Sequence, residues 1–299
     1  MDAEITAANG AGLNYWAYCW YGTPLAAGNP FQNAWALHQS SSIKNQVKWC
    51  IIFQLSDMGG ASAFAAAFST LTGYLAQSNY QTVLSGRPLV YILIDQNTPL
   101  SWGGSFSSFQ TSLNSFRSAC TSAGLLNPYI VTMGSAGTGT AAGAYAVSQQ
   151  CAADAFGGYT SPTVPAVGGA AYASQIASDA ANWAACAATG GSYVPTVQTG
   201  WDTRPRSQNC SSLACSAGQK SWIGSNYYVA PGTPSQIASD FTAALAFITA
   251  NASACPSKAV LAYSWNEDDE GGSGLNPTWS ASGPVHAELD AVGAILNAN

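Results

Sequence analysis

Four consecutive acidic residues, Glu267-Asp268-Asp269-Glu270, stand in a chain in which only 7% of residues are charged, three residues beyond the apolar run Ala259-Val260-Leu261-Ala262-Tyr263. Crowded carboxyl groups push each other's proton affinities apart, so that one stays protonated while another is ionised. Cleavage of a glycosidic bond asks for such a pair, because one group must protonate the departing oxygen while the other works as a carboxylate. In a helical turn positions i and i+3 face the same way with Cβ atoms about 5–6 Å apart, which nominates Glu267 and Glu270, whereas an extended loop would splay them. Asp268 and Asp269 read more simply as solvated acids, or as acids that suit the dipole at a helix start. The ligand spacing of an EF-hand is missing, so calcium is set aside and neither metal nor other cofactor is expected.

A second dense stretch is Gly200-Trp201-Asp202-Thr203-Arg204-Pro205-Arg206, which holds two of the four arginines. A guanidinium fork fixes carboxylates or hydroxyls in place, and an indole offers a flat apolar face to the C–H side of a sugar ring. Arg204 and Arg206 equally suit a structural role, pairing with Asp202 or with the acidic loop. Trp20, Tyr21, Asp95, Trp201, Asp202, Arg204, Trp265 and Asn266 are the candidate substrate-binding residues, with Trp102 a further candidate platform.

These residues share a position. Seven runs read as strands, Leu13–Cys19, Trp49–Leu55, Leu89–Ile94, Tyr129–Met133, Ala155–Tyr159, Tyr193–Gln198 and Ala259–Ser264, and the polar or aromatic residues cluster just after them. Ala61–Ser78, Phe106–Ala123, Thr140–Ala152, Ala171–Ala188, Ser235–Ala250 and Val285–Leu296 read as the intervening helices. Such alternation predicts an α/β fold with a parallel sheet, read here as a (β/α) barrel of the TIM type in one domain over 1–299. Barrel loops at the strands' C-terminal ends converge on one mouth, so all these residues are expected at a single pocket.

Composition excludes other classes. Eight Lys plus Arg against fourteen Asp plus Glu, with no basic run, is no footprint for nucleic acid. No apolar run reaches the roughly 20 residues of a membrane span, and residues 1–4 lack the pattern of a signal peptide. Eight cysteines, little lysine and Asn-x-Ser sequons at Asn209 and Asn251 favour an oxidising, extracellular setting. Cys210–Cys215, Cys120–Cys151 and Cys186–Cys255 are the expected disulfides, with Cys19 and Cys50 left over; the alternative is that the cysteines are small buried hydrophobes. A monomer is expected.

The run Tyr263-Ser264-Trp265-Asn266-Glu267-Asp268-Asp269-Glu270-Gly271, followed by Leu275-Asn276-Pro277-Thr278, resembles the W-N-E-W-x-E-G region of glycoside hydrolase family 99 and its bacterial relatives. Pro195–Arg206 is similar to the relatives' P-x-V-x-x-G-W-D-x-x-P-R stretch, while Leu13–Gly22 and Gly86-Arg87-Pro88 match weaker motifs. The resemblance implies a (β/α)8 barrel that cleaves α-linked glycans with retention and without metal. It gives Glu267 the role of base toward the sugar 2-hydroxyl, forming a 1,2-anhydro intermediate, and Glu270 that of general acid and then base. Asp268 replaces the family's usual Trp, which changes the shape of the subsite. A strand is also implied upstream of Leu13–Gly22, where this sequence has only a short polar stretch.

The expected activity is therefore endo-acting hydrolysis of an α-linked polysaccharide. An α-1,3-glucanase-like barrel hydrolase is the nearest alternative, separable with a glycan panel. A carbohydrate-binding barrel without turnover would keep the aromatic mouth but have no need of both glutamates, and a structural or adhesive protein would have no closed pocket.

Overall fold

The computed structural model describes residues 1–22, 33–94, 102–134, 140–162, 165–205, 227–272, 274–280 and 283–298. Its strands are β1 (Tyr15–Trp20), β2 (Lys48–Gln54), β3 (Thr82–Val83), β4 (Arg87–Ile94), β5 (Tyr129–Gly134), β6 (Ala155–Gly158), β7 (Ala166–Val167), β8 (Tyr193–Val194), β9 (Thr196–Gln198), β10 (Trp201–Asp202), β11 (Tyr227–Val229), β12 (Leu261–Tyr263), β13 (Thr278–Ser280) and β14 (Gly283–Val285). A parallel sheet runs β1-β2-β4-β5-β6-β8, and β9 pairs in parallel with β12. Each expected strand falls on this frame. Tyr193–Gln198 is divided at Pro195, which has no N–H for a ladder; its carbonyl still accepts from Leu261 N at 2.9 Å.

The sheet is rolled. β1 and β6 lie four strand spacings apart along the ladder, roughly 19 Å in a flat sheet. Yet Cys19 Sγ of β1 and the hydroxyl of Tyr159, one residue past β6, are 3.4 Å apart. The hydroxyls of Tyr15 on β1 and Tyr91 on β4 likewise meet at 3.0 Å. Contacts across an interior require the strands to curve around it, which is the geometry of a barrel wall. Among the described residues β1 and β12 share no ladder bond, and the rings of Trp16 and Trp265 meet between them with centroids 5.3 Å apart.

Helices cover the outside: α1 (Asp2–Gly10), α2 (Asn33–Ser40), α3 (Gly60–Ala66), α4 (Phe68–Leu75), α5 (Phe106–Ser122), α6 (Ala141–Gln150), α7 (Tyr172–Ala187), α8 (Pro234–Ala250) and α9 (Ala287–Leu296). Their starts are written in the sequence. Ser105 and Thr140 cap α5 and α6, and α8 opens with Pro234 inside a reciprocal capping box between Thr233 and Gln236. Phe109, Leu113, Phe116 and Cys120 form the buried stripe of α5 at helical spacing. The expected Ala61–Ser78 helix is broken at Ala67 into α3 and α4. The stretch ahead of β1 is helix α1, not a strand, and Gly293 of α9 packs against Ala11 at its end, where a side chain on the glycine would meet Ala11 Cα at 2.9 Å. At the N-terminal end of the sheet Asp154 is clamped by Arg87 at 2.5 Å and Arg117 at 2.6 Å, away from the chemistry.

The cysteines correct an expectation. Cys120, Cys151, Cys186 and Cys255 are buried free thiols, as are Cys50 and the half-buried Cys19, while Cys210 and Cys215 lie outside the described residues. Cys120 and Cys186 occupy apolar positions of helix stripes, and burial pushes the Cys186 and Cys255 thiols up to about 11, so they stay neutral. They act as small core residues.

Candidate active site

The site is built at the C-terminal end of β12. Strand β12 leads through Ser264, Trp265 and Asn266 into Glu267, which precedes a single 3₁₀ turn, Asp268–Glu270, closed by Gly271 in the left-handed region (φ 64°). Glu270 N donates to Glu267 O at 3.2 Å and Gly272 N returns to the same carbonyl at 3.0 Å. Both Glu267 and Glu270 line a cavity of about 930 Å³ that runs between β1 and β12, walled by Cys19, Tyr21, Tyr159, Tyr263, Trp265 and Asn266 around the glutamates.

Neighbouring loops hold this turn. Thr199, buried after β9, donates its amide to Tyr263 O at 3.0 Å, and its hydroxyl lies 2.7 Å from Gly272 O and 3.1 Å from Tyr263 O. One side chain thereby ties both limbs of the acidic loop to β9. The Gly200-Trp201-Asp202 segment then crosses Gly271 so closely that no Cβ fits on either side. A side chain at Gly200 would meet Gly271 O at 2.6 Å, and one at Gly271 would meet Asp202 Cβ at 2.8 Å. The two sequence-dense stretches are thus packed against each other at one end of the sheet.

Glu267 sits among weak acids. Its charge acts on Cys19, Tyr21 and Tyr159, whose groups are all pushed up chiefly by burial and so remain neutral donors. Glu270 accepts a hydrogen bond from the hydroxyl of Tyr263 at 2.7 Å. Among the described residues there is no group of three His, Cys, Asp or Glu side chains placed to hold a metal.

The remaining candidates are distributed unevenly. Tyr21, Trp265 and Asn266 line the cavity with the glutamates. Asp202 and Arg204 form a forked pair, with Nε–Oδ1 at 2.9 Å and Nη2–Oδ2 at 2.6 Å, and the guanidinium lies 3.4 Å over the Tyr228 ring. Hydrogen bonds from Arg204 hold the Asp202 carboxyl below its ordinary range. This pair and Trp201 stand beside the acidic loop, outside the cavity lining. Trp20 is 1% exposed, packed with Trp35, Trp49 and Tyr74, and Trp102 is buried against Phe64 and Phe109, so both belong to the layer between sheet and helices. The reason is strand alternation: Tyr15, Cys19 and Tyr21 point inward, which sends Trp20 out. Asp95 lies outside the described residues. Sequence reasoning assigned no role to Tyr159, Tyr263 or Cys19, although the same alternation would have found Cys19.

No protein-family model matches the sequence, and no curated protein matches it. Solved structures do match, and they define the class of fold, a (β/α) barrel of the TIM type. They include the GH99 endo-alpha-mannosidase from Bacteroides thetaiotaomicron, with a TM-score of 0.58 at 14% identity, covering 99% of this chain and 78% of that one. The same enzyme in complex with Bis-Tris-propane matches with a TM-score of 0.55 at 13% identity, covering 99% and 81%. At these identities the likeness establishes the fold.

Proposed function

We propose that residues 1–299 form a single catalytic domain, a glycoside hydrolase that cleaves an α-linked polysaccharide internally and with retention. The observation that carries this reading is the placement of Glu267 and Glu270 at the two ends of one 3₁₀ turn just past the C-terminal end of a parallel strand, both lining one cavity. The likeness in fold to endo-alpha-mannosidase structures supports it and makes an α-mannan the first substrate to try.

In this reading Glu267 takes the proton of the sugar 2-hydroxyl as its oxygen attacks C1 and the bond from C1 to the departing oxygen breaks. Glu270 gives its proton to that oxygen and becomes a carboxylate. Water then attacks C1 of the 1,2-anhydro sugar, losing a proton to Glu270, while Glu267 returns its proton to O2. Two inversions at C1 give retention. Tyr21 and Tyr159, neutral hydroxyls beside Glu267, suit the binding of sugar oxygens, and Trp265 with Asn266 borders the same space. Asp202 and Arg204 act through the loop they brace. An extracellular location is part of the proposal, resting on the charge-poor, hydroxyl-rich composition; the described cysteines lend it no support.

The test is incubation with α-mannan, α-glucan and α-arabinan, with product size and anomeric form followed by NMR. Shortened oligosaccharides appearing first in the α-configuration are expected. Binding without turnover would make the chain a carbohydrate-binding barrel, and β-configured first products would remove the retaining mechanism.

A further inference from the structure

One carboxylate oxygen of Glu270, Oε2, is held by a tyrosine, and that tyrosine is the more firmly fixed of the two. Tyr263 is 4% exposed, on the last residue of β12. Its backbone is set by parallel pairing with Gln198 and by the two contacts from Thr199. Its ring packs edge-on to Tyr159, with centroids 5.4 Å apart, and against Gly272, where an added Cβ would meet Tyr263 Cε1 at 2.8 Å. None of these contacts involves Glu270. The phenol is therefore a prepositioned donor to Glu270, which ends a turn of only three residues.

We infer that Tyr263 is a positioning residue for the general acid/base, fixing Oε2 of Glu270 so that Oε1 is presented to the departing oxygen. The inference rests on the reading of Glu270 given above. During the first step the O–H bond of the Glu270 carboxyl breaks, the O–H bond of the leaving group forms, and the electron pair of the breaking C1–O bond moves onto the departing oxygen. Tyr263 keeps its proton throughout. Its hydrogen bond strengthens as Glu270 gains charge, because a bond to an ionised acceptor is about twice as strong as a neutral one. The stabilisation is thus greater in the transition state than in the ground state, which is the condition for raising kcat.

The test is Tyr263→Phe, alone and combined with Glu270→Gln, assayed on whichever panel glycan the wild-type chain cleaves and on the matching 2,4-dinitrophenyl α-glycoside. On the glycan, kcat should fall about 10–100-fold, the equivalent of a hydrogen bond to a charged group, with KM changed less than about 3-fold. Aglycone release from the activated glycoside should change less than about 3-fold, since a good leaving group needs little protonation. In the Glu270→Gln background the second substitution should add almost nothing, since both act through one group. A crystal structure of Tyr263→Phe should show the Glu270 carboxyl turned from its wild-type orientation. Equal losses on both substrates, additivity with Glu270→Gln, or an unmoved Glu270 would overturn the inference. Near-normal activity of Glu270→Gln would instead overturn the reading beneath it, and absence of turnover by the wild type on the whole panel would overturn both.

Discussion

The molecule holds two pairs of carboxyl groups, and they differ in almost everything except chemistry. Glu267 and Glu270 line a cavity of about 930 Å³, and Glu270 accepts from the Tyr263 hydroxyl. Asp179 on α7 and Asp240 on α8 are both 0% exposed, sealed between the two helices behind β9. Asp179 is satisfied, accepting from the Gln175 amide at 2.6 Å and from Gln198 N at 3.4 Å. The oxygens of Asp240 find no donor among the described residues, and the carboxyl group beside them is that of Asp179. Two neighbouring buried carboxyl groups resist carrying both charges, so the pair holds one proton. Burial pushes both groups up, Asp240 to about 8 with the charge of Asp179 adding to the effect. The buried pair whose proton affinity is raised does not line the cavity. A raised proton affinity therefore marks burial, and a catalytic assignment needs the cavity as well.

The pairs should separate cleanly under mutation. The largest effect is expected from Glu267→Gln, which removes the proposed base without changing shape: turnover should fall about 10²–10⁴-fold on every substrate. Binding of the glycan, measured by calorimetry, should persist and the melting temperature should hold. Asp179→Ala should do the reverse. It strands the Gln198 N–H, at about 1–3 kcal/mol, and takes the Asp179 acceptor from a Gln175 amide that keeps Ser161 and Pro162, so denaturant unfolding should show a loss of stability while the dependence of rate on leaving group stays as in wild type.

Asp240→Asn sharpens the contrast through pH. Asp240 keeps its proton to about 8 in the fold, whereas a free Asp in the unfolded chain releases it near about 3.9. Between those values the folded chain binds a proton that the unfolded chain has lost, so its stability contribution declines as pH rises from about 4 to about 8 and then levels. An uncharged Asn should flatten that slope and leave the variant more stable than wild type at pH 8, as read from melts across the range; an unchanged slope would remove the shared proton. The smallest effect is expected from Asp268→Asn, an exposed residue on the turn, where rates should stay within about 3-fold of wild type.

Much of this was legible before any coordinates. The seven parallel strands follow from β-branched and aromatic runs bounded by turn residues, and α8 from the run that reads as a helix over Ser235–Ala250. The acidic turn was visible because charge is so scarce around it. Four things were not. Trp20 was assigned to the mouth by its place at a strand end, whereas alternation along β1 turns it toward α2 and α4. The cysteines were read through their even number, and their positions in helix stripes were the better guide. The Asp179 and Asp240 pair was missed although both lie in phase with apolar stripes, Tyr172, Gln175, Asp179 and Trp183 on one helix and Ile237, Asp240, Phe241 and Ala244 on the other. Polar residues at stripe positions announce a buried network, but which helix supplies the partner is a matter of tertiary packing. Tyr263 reaching Glu270 depends in the same way on the 3₁₀ turn folding back over β12.

The most direct test of the central claim is single-turnover release of 2,4-dinitrophenol from an activated α-glycoside by Glu267→Gln and Glu270→Gln side by side, with folding verified by circular dichroism. The account predicts appreciable first-step release from Glu270→Gln, whose missing proton such a leaving group does not need, and almost none from Glu267→Gln. Near-normal release by both variants, together with near-normal cleavage of the glycan, would contradict it and make the acidic turn a structural element.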